Sequence, residues 1–341
     1  MEREMTLSQP FKAAAVQAAP EFLDLAGTVD KTIALIEQAA QQDVKLLAFP
    51  EAWLPGYPFW SWLGSQAWGM QFVGRYHANS IERDGPEMEA IAAAAARAGM
   101  TVVLGTSERD HGSLYLGQTI IAGDGSILAH RRKLRPTHVE RSVFGDGDGS
   151  DLRVHATELG RLGALCCWEH LQPLVKYAMF AQHEQIHIAS WPAFSLYEGK
   201  AYALGADLNS AVTQVYAAEG QCFVIAATMV VTPKIQAMLC DEPAKADLLP
   251  LGGGCSMIFG PDGAPLAQRI APTEEGLVIA EIDTSLIAYA KAAADPIGHY
   301  ARPDVFQVLF DDRPRSRFTR ASICDKADAD AQVDVGDDSG L

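Results

Sequence analysis

Positive charge is scarce in this sequence. Lysines and arginines number 27 against 43 aspartates and glutamates in 341 residues, a formal net charge of −16. That balance argues against a nucleic-acid binder, whose footprint would be basic, and against attraction to anionic membrane surfaces. Cysteine is sparse as well. Six in so long a chain (Cys166, Cys167, Cys222, Cys240, Cys255, Cys324) do not make a disulfide framework, and four sit in apolar, strand-like settings, as expected in a reducing cytoplasm. No stretch reaches transmembrane length, and Met1 to Thr6 carries no apolar signal core. Core material, by contrast, is plentiful: hydrophobic residues make up 48% of the chain, which argues for a globular protein and against disorder. The expectation is a soluble, acidic, cytoplasmic protein.

Periodicity then organises the chain. Phe11 to Ala18 reads as a buried strand, Asp24 to Gln42 as a helix, and Val44 to Phe49 as a second strand, a β-α-β unit that predicts parallel neighbours. Residues 52 to 75 read as a long aromatic loop, equally suited to lining a pocket or covering the sheet end. Pro86 to Ala98 reads as a helix and Thr101 to Gly105 as a third strand. Leu114 to Ala122 and Ser126 to Arg132 form a hairpin across Gly123-Asp-Gly125, and a charged glycine loop spans Gly145 to Gly149. The strand Leu162 to Leu165 is followed by helices over 171–182 and about 200–219, with strands between and after them. A second hairpin is expected from Cys255 to Phe259 and Leu266 to Arg269, and a last strand from Leu277 to Ile282. Residues 11–122 and 162–283 repeat roughly the same order of elements. The expected fold is therefore one α/β domain over 11–283, an α-β-β-α sandwich of two stacked mixed sheets with helices outside. Residues 284–319 read as a C-terminal extension at a subunit interface, and 320–341 as an acidic mobile tail.

Three chemically useful groups share one context. Glu51 follows the second strand, Lys133 follows the first hairpin and Cys167 follows the strand beginning at Leu162, and sites form at strand ends in open α/β sheets. A carboxylate could take the thiol proton, the thiolate could attack an electrophilic carbon, and the ammonium could stabilise the negative charge that develops. A thiol at a strand-to-helix turn would also be acidified by the helix dipole. Each residue has a plainer alternative: a buried small hydrophobe for the cysteines, a turn cap for Glu51, a solvated basic patch for Lys133.

Phe49-Pro-Glu-Ala-Trp-Leu-Pro-Gly-Tyr-Pro58, Arg131-Arg-Lys-Leu-Arg-Pro-Thr-His-Val-Glu-Arg141 with Gly145 to Gly149, and Gly163-Ala-Leu-Cys-Cys-Trp-Glu-His170 resemble, in order and spacing, the three signature regions of the nitrilase family. The resemblance runs from about residue 11 to about 310, through Gly298-His-Tyr-Ala-Arg-Pro-Asp304, and points to the true nitrilase branch of the carbon–nitrogen hydrolases. It implies Cys167 as nucleophile, Glu51 as general base, Lys133 as electrostatic stabiliser and Glu140 as a second carboxylate beside the lysine. The backbone N–H of Trp168 would help to bind developing negative charge, and Cys166 would be packing. The implied reaction is hydrolysis of a small-molecule nitrile to the acid and ammonia through a thioimidate and a thioester, with no metal or organic cofactor. Homo-oligomers are implied too, built from dimers and extending into spirals.

Several rivals remain at this stage. His183-Glu-Gln-Ile-His187 fits the zinc-protease pattern, although Ile186 to Pro192 reads as a strand and would take the second histidine off the helix. His170 could act as a papain-like base but reads as a site-shaping residue. An aliphatic amidase of the same superfamily would enter the pathway one step later, and a catalytically vestigial oligomeric scaffold is the non-enzymatic alternative. The expected pocket wall is Tyr57, Trp191 and Pro192 by resemblance, with Phe59, Trp60 and Trp62 by composition. Such a wall admits aryl, arylaliphatic or longer aliphatic nitriles.

Overall fold

The computed structural model describes residues 9–315 and Phe318. The first half runs β1 (Phe11–Ala18), α1 (Leu25–Ala40), β2 (Val44–Ala48), α2 (Trp60–Leu63), α3 (Gln66–Asn79), α4 (Pro86–Ala98), β3 (Thr101–Asp110), β4 (Ser113–Ile121) and β5 (Ile127–Arg132). The second half runs β6 (His155–Thr157), β7 (Gly160–Cys166), α5 (Pro173–Phe180), β8 (Ile186–Trp191), α6 (Ala206–Gly220), β9 (Phe223–Met229), α7 (Pro233–Leu239), α8 (Pro243–Ala246), β10 (Met257–Phe259), β11 (Gly276–Ile282) and α9 (Ile287–Ala294). Local chemistry sets many of these boundaries. The Asp24 carboxylate accepts the Gly27 N–H at 3.0 Å to open α1. Pro86 opens α4, and Gly99 ends it in the left-handed conformation at φ 57°.

Among the described residues the strands make one mixed ladder in the order β5-β4-β3-β2-β1-β9-β8-β7-β6, with β10 on β9 and β11 on β1. β1, β2 and β3 run parallel, as do β7, β8 and β9, while β3-β4-β5 and β6-β7 are antiparallel. The sequence suggests two separate sheets; hydrogen bonding joins the arms where Gln17 and Ala18 meet Thr228 and Met229. β11 takes the rest of that edge, pairing with Phe11 to Gln17. The result is a mixed α/β fold with a nearly closed sheet and helices around it.

The apolar residues divide accordingly. Ile36, Leu47, Ile91 and Leu104 pack among α1, α4 and the first arm, and Val175, Phe180, Tyr216 and Val224 pack among α5, α6 and the second. Leu46 and Val103 of one arm share a cluster with Ile188 and Ile225 of the other. At the strand ends, Tyr57, Phe59, Trp60, Tyr76, Met229 and Leu249 form an aromatic-rich cap. No helix among the described residues is long and apolar enough to cross a membrane.

Two local expectations need correcting. Residues 52–75 are largely helical rather than loop, because the Ser65 hydroxyl caps α3 by accepting the Trp68 N–H at 3.2 Å, and Trp60 packs edge-on against Tyr76 at 4.7 Å. The second hairpin ends early. Its turn closes through Gly260 N–H to the Ala264 carbonyl at 2.8 Å and Leu266 N–H to the Ile258 carbonyl at 2.9 Å around a single bridge, Phe259–Pro265, and the pairing stops there, so Leu266 to Arg269 form no strand. The Gly145–Gly149 loop is tethered, since Asp151 Oδ1 accepts the Arg132 N–H at 2.9 Å and Asp148 Oδ2 accepts the Arg315 N–H at 2.7 Å. The acidic tail from residue 320, and Cys324 within it, lies outside the described residues.

Candidate active site

Strand ends bring Glu51, Lys133 and Cys167 together. Glu51 follows β2, and its backbone N–H donates to the Trp191 carbonyl at the end of β8 at 3.2 Å. The chain can pass here because Gly105 has no side chain, as a Cβ would stand 1.9 Å from the Pro50 carbonyl oxygen. Lys133 follows β5 and donates its N–H to the Leu116 carbonyl at 2.6 Å. Its Nζ, fully buried, donates to Glu51 Oε1 at 2.9 Å and to Glu140 Oε2 at 2.8 Å. Glu140 is held by the Tyr57 hydroxyl at 2.7 Å and the Thr137 N–H at 2.6 Å, and Trp62 Nε1 donates to the Tyr57 oxygen at 3.1 Å.

Charge is unevenly shared in this cluster. Burial pushes the Glu51 carboxyl up to about 8, aided by repulsion from Glu140 and opposed by Lys133. Lys133 is driven well above its ordinary value, because the two carboxylates outweigh its desolvation. Oε2 of Glu51 has no hydrogen-bond partner among the described residues and is left as an acceptor. Two carboxyl groups around one ammonium thus make a lysine that stays charged and a glutamate poised to take a proton.

Cys167 begins a 3₁₀ turn, Cys167–Leu171, in the left-handed conformation at φ 45°. That conformation costs a non-glycine residue roughly 1–2 kcal/mol and is found at functional sites. The thiol is not acidified as the helix-dipole expectation holds. Burial and the Glu51 carboxylate push it well above its usual value, outweighing Lys133 and the Trp168 N–H that bonds to the sulfur. A short 3₁₀ turn supplies too little dipole to compensate. The ground-state group is a neutral thiol that needs a base. Cys166 lies at the end of β7 beside the buried Arg131–Glu169 pair, with Arg131 Nη1 3.8 Å from its sulfur. Glu169 also accepts the Cys166 N–H at 2.8 Å and the Leu134 N–H at 2.8 Å, tying the cysteine turn to the lysine segment.

Cys167 and Glu140 open onto a narrow pocket walled by Tyr57, Trp62, Trp168, Pro192, Phe194 and Leu204. Trp62 stacks on His138 at 5.4 Å, and the Tyr197 hydroxyl donates to the Trp62 carbonyl at 2.6 Å. Trp168 is anchored through Nε1 to Asn209 of α6 at 3.1 Å. Several expected site residues lie elsewhere. Trp191 and His170 are fully buried behind the pocket, stacked on each other at 5.0 Å, because β8 turns the Trp191 ring toward α6. Phe59 and Trp60 likewise sit within the aromatic cap. His170 is no base for Cys167: its Nδ1 lies 2.6 Å from the Cys167 carbonyl oxygen. The structure also parts the two histidines of His183-Glu-Gln-Ile-His187. His183 lies exposed in a left-handed turn, whereas His187 is buried in β8.

Some participants had no separate signal in the sequence. Gln118 joins three strands by donating to Ser190 Oγ at 2.8 Å and the Leu165 carbonyl at 3.2 Å, and accepting from Arg131 at 2.8 Å. Asn209 and Tyr216 come from a helix more than forty residues beyond Cys167. Arg131 stands two residues before Lys133 and Glu169 two after Cys167, so the Arg131–Glu169 pair lies beside the Lys133 cluster.

Comparison with known proteins places these residues in context. The family model for carbon–nitrogen hydrolases matches residues 12–292. A nitrilase of Pseudomonas syringae pv. syringae (strain B728a) is 55% identical over 308 residues, covering 90% of this chain and 92% of the relative. An arylacetone-specific nitrilase of Alcaligenes faecalis is 53% identical over 309 residues, covering 91% and 87%. Among solved structures, a carbon–nitrogen hydrolase from Helicobacter pylori G27 superposes with a TM-score of 0.69 at 20% identity, covering 88% of this chain and 97% of that one, a likeness of fold.

The electrostatics make one outcome specific. Alkylation of Cys167 by iodoacetamide should rise with pH around 8, where Glu51 ionises, and Glu51→Gln should move that rise to higher pH. Mass spectrometry of the labelled peptide checks this. An unchanged profile in Glu51→Gln would remove Glu51 as the base.

Proposed function

The chain belongs to the carbon–nitrogen hydrolase family, in its nitrilase branch, and from that premise we propose that it hydrolyses an organic nitrile to the carboxylic acid and ammonia with Cys167 as nucleophile. The observation that supports this most directly is the buried Lys133 ammonium held between Glu51 and Glu140, beside a thiol that opens onto an apolar pocket. Glu51 takes the thiol proton as sulfur attacks the nitrile carbon and passes it to the nitrile nitrogen, giving a thioimidate and restoring the carboxylate. Lys133 and the Trp168 N–H offset the negative charge that develops. Water, deprotonated by Glu51, adds to the thioimidate carbon. The tetrahedral species expels ammonia and leaves a thioester, and a second water releases the acid. A base whose pKa lies near the working pH both accepts and returns the proton effectively.

The wall residues support a nitrile with an uncharged apolar body. Apart from Glu140 the pocket wall bears no charge, and that carboxylate would repel an acidic substrate. An aromatic group fits the tryptophan and phenylalanine faces, in keeping with the arylacetone-specific relative. Pro192, following Trp191, and Tyr57 serve as wall residues, whereas His170 and Trp191 support the wall from behind.

We read the two arms of the sheet as the stacked layers of an α-β-β-α sandwich over 11–283, supported by the shared cluster between them. Residues 284–315 are proposed as a subunit-interface extension of a cytoplasmic homo-oligomer. Tyr289, Tyr300, Phe306 and Leu309 expose their side chains there, Leu309 completely.

Cys167→Ala should abolish acid production, a loss on the order of 10⁴-fold or more, while Cys166→Ala keeps most of it; comparable activity in the two variants would sink the nucleophile assignment. Ammonia release should be faster from an arylaliphatic nitrile than from its matching amide or a carboxylate-bearing nitrile. Faster release from the amide would make the chain an amidase. Replacing Phe306 and Leu309 by serine should lower the mass seen by analytical ultracentrifugation, and an unchanged mass would clear that segment of an interface role.

A further inference from the structure

A buried chain of hydrogen bonds runs from α6 to the nucleophile's own backbone. The Tyr216 hydroxyl lies 2.7 Å from Glu184 Oε2, and Glu184 Oε1 lies 2.7 Å from His187 Nδ1. His187 Nε2 lies 2.9 Å from His170 Nε2, and His170 Nδ1 lies 2.6 Å from the Cys167 carbonyl oxygen. All four side chains are buried, and none belongs to the Glu51–Lys133–Glu140 cluster. Glu184 and His187 come from the His183-Glu-Gln-Ile-His187 segment, which the proposed chemistry leaves unused. Space for the carboxyl is reserved by Gly163 on β7, where a Cβ would stand 1.9 Å from Glu184 Oε1.

The proton positions follow from one end. A carbonyl oxygen only accepts, so His170 carries its proton on Nδ1, and in the neutral ring Nε2 is an acceptor. His187 must then donate from Nε2, which leaves its Nδ1 as an acceptor. Glu184 can satisfy that nitrogen only as a carboxylic acid. The same protons could instead be arranged as a histidine cation and a glutamate anion, but separating charge in a fully buried, ring-lined space is costly. The neighbours favour the neutral arrangement. Tyr216 stacks on His187 at 3.9 Å, Trp191 stacks on His170, and the nearby Arg131 and Glu169 charges neutralise each other. Burial raises Glu184 to about 8 and lowers both histidines well below their usual values.

We infer that Glu184 is a positioning residue: as a neutral carboxylic acid it starts a one-way hydrogen-bond relay through His187 and His170 that holds the Cys167 carbonyl, and so the left-handed turn that aims the thiol. Losing the acid proton breaks the relay. His187 would turn its proton toward the carboxylate, and two lone pairs would face each other between His187 and His170. The turn is strained, so its geometry depends on partners of this kind. The inference rests on Cys167 being the nucleophile.

Glutamine at position 184 can donate an N–H to His187 and accept from Tyr216, so it copies the neutral acid and cannot ionise. With a nitrile as substrate, Glu184→Gln should keep kcat within about threefold, retain the rise with pH set by Glu51, and lose the fall above about 8. Glu184→Met, of similar shape but without a donor, should lower kcat on the order of 10- to 100-fold with little change in KM. Tyr216→Phe removes a bond that favours the carboxylate and should move the alkaline fall upward, which keeps the test available if the methionine variant fails to fold. Infrared difference spectra should show a protonated carboxyl band in the parent that Glu184→Gln removes. Wild-type kcat in Glu184→Met, or a drop in Glu184→Gln as deep as that in Glu184→Met, overturns the relay. Turnover surviving in Cys167→Ala would overturn the nucleophile instead, and the carboxyl band would stand unchanged.

Discussion

A lysine ammonium with no exposure to water is the constraint on which the rest of the molecule depends. Burying such an ion costs several kcal/mol unless it is well paired, and stripping one partner from a buried pair typically costs about 3–5 kcal/mol. Lys133 is satisfied by one remote carboxylate, 82 residues away at Glu51, and one nearby, seven away at Glu140. Both must arrive together. The ends of β2 and β5 and the turn at 138–142 are therefore held in mutual register by one charge, and Tyr57 and Thr137 complete the second carboxylate.

A second buried pair, Arg131–Glu169, repeats this device one step away. Arg131 is two residues before Lys133 and Glu169 two after Cys167, so one pair anchors the segments from which the other cluster and the nucleophile emerge. Gln118 and Ser190 then carry the connection across β4, β7 and β8. Every group in this region is desolvated, and burial is the leading influence on Glu51, Lys133 and Cys167 alike. It makes the carboxyl a better base and the thiol a weaker acid. The two displacements suit the proposed reaction, in which a neutral thiol and a proton-hungry carboxylate exchange one proton at the moment of attack.

Much of the fold is legible in the sequence. The apolar runs of β1, β2, β7, β8 and β9, the Asp24 and Pro86 starts and the Gly99 stop all act through neighbours in sequence. Where reading failed, a distant contact had won. Trp60 of α2 packs on Phe72 and Tyr76 of α3, a contact between the two helices that no local spacing reveals. The second hairpin shows the reverse case, a plausible local pattern that stops after one bridge at Phe259–Pro265.

The site divides along the same line. Residue types and their placement singled out Glu51, Lys133 and Cys167, because each directly follows a local element and its chemistry is intrinsic to its side chain, while Glu140 came only with the family resemblance. Sequence by itself therefore determined which functional groups the protein owns and roughly where its strands end. Tertiary structure alone decided their protonation, since a pKa depends on how much water is removed and which charges replace it. It also decided that His170 and Trp191 stand behind the pocket while Trp62 and Phe194 line it, and that His187 faces His170 rather than His183. Side-chain direction and desolvation are set by elements that meet only when the sheet arms join, so spacing along the chain carries no record of them.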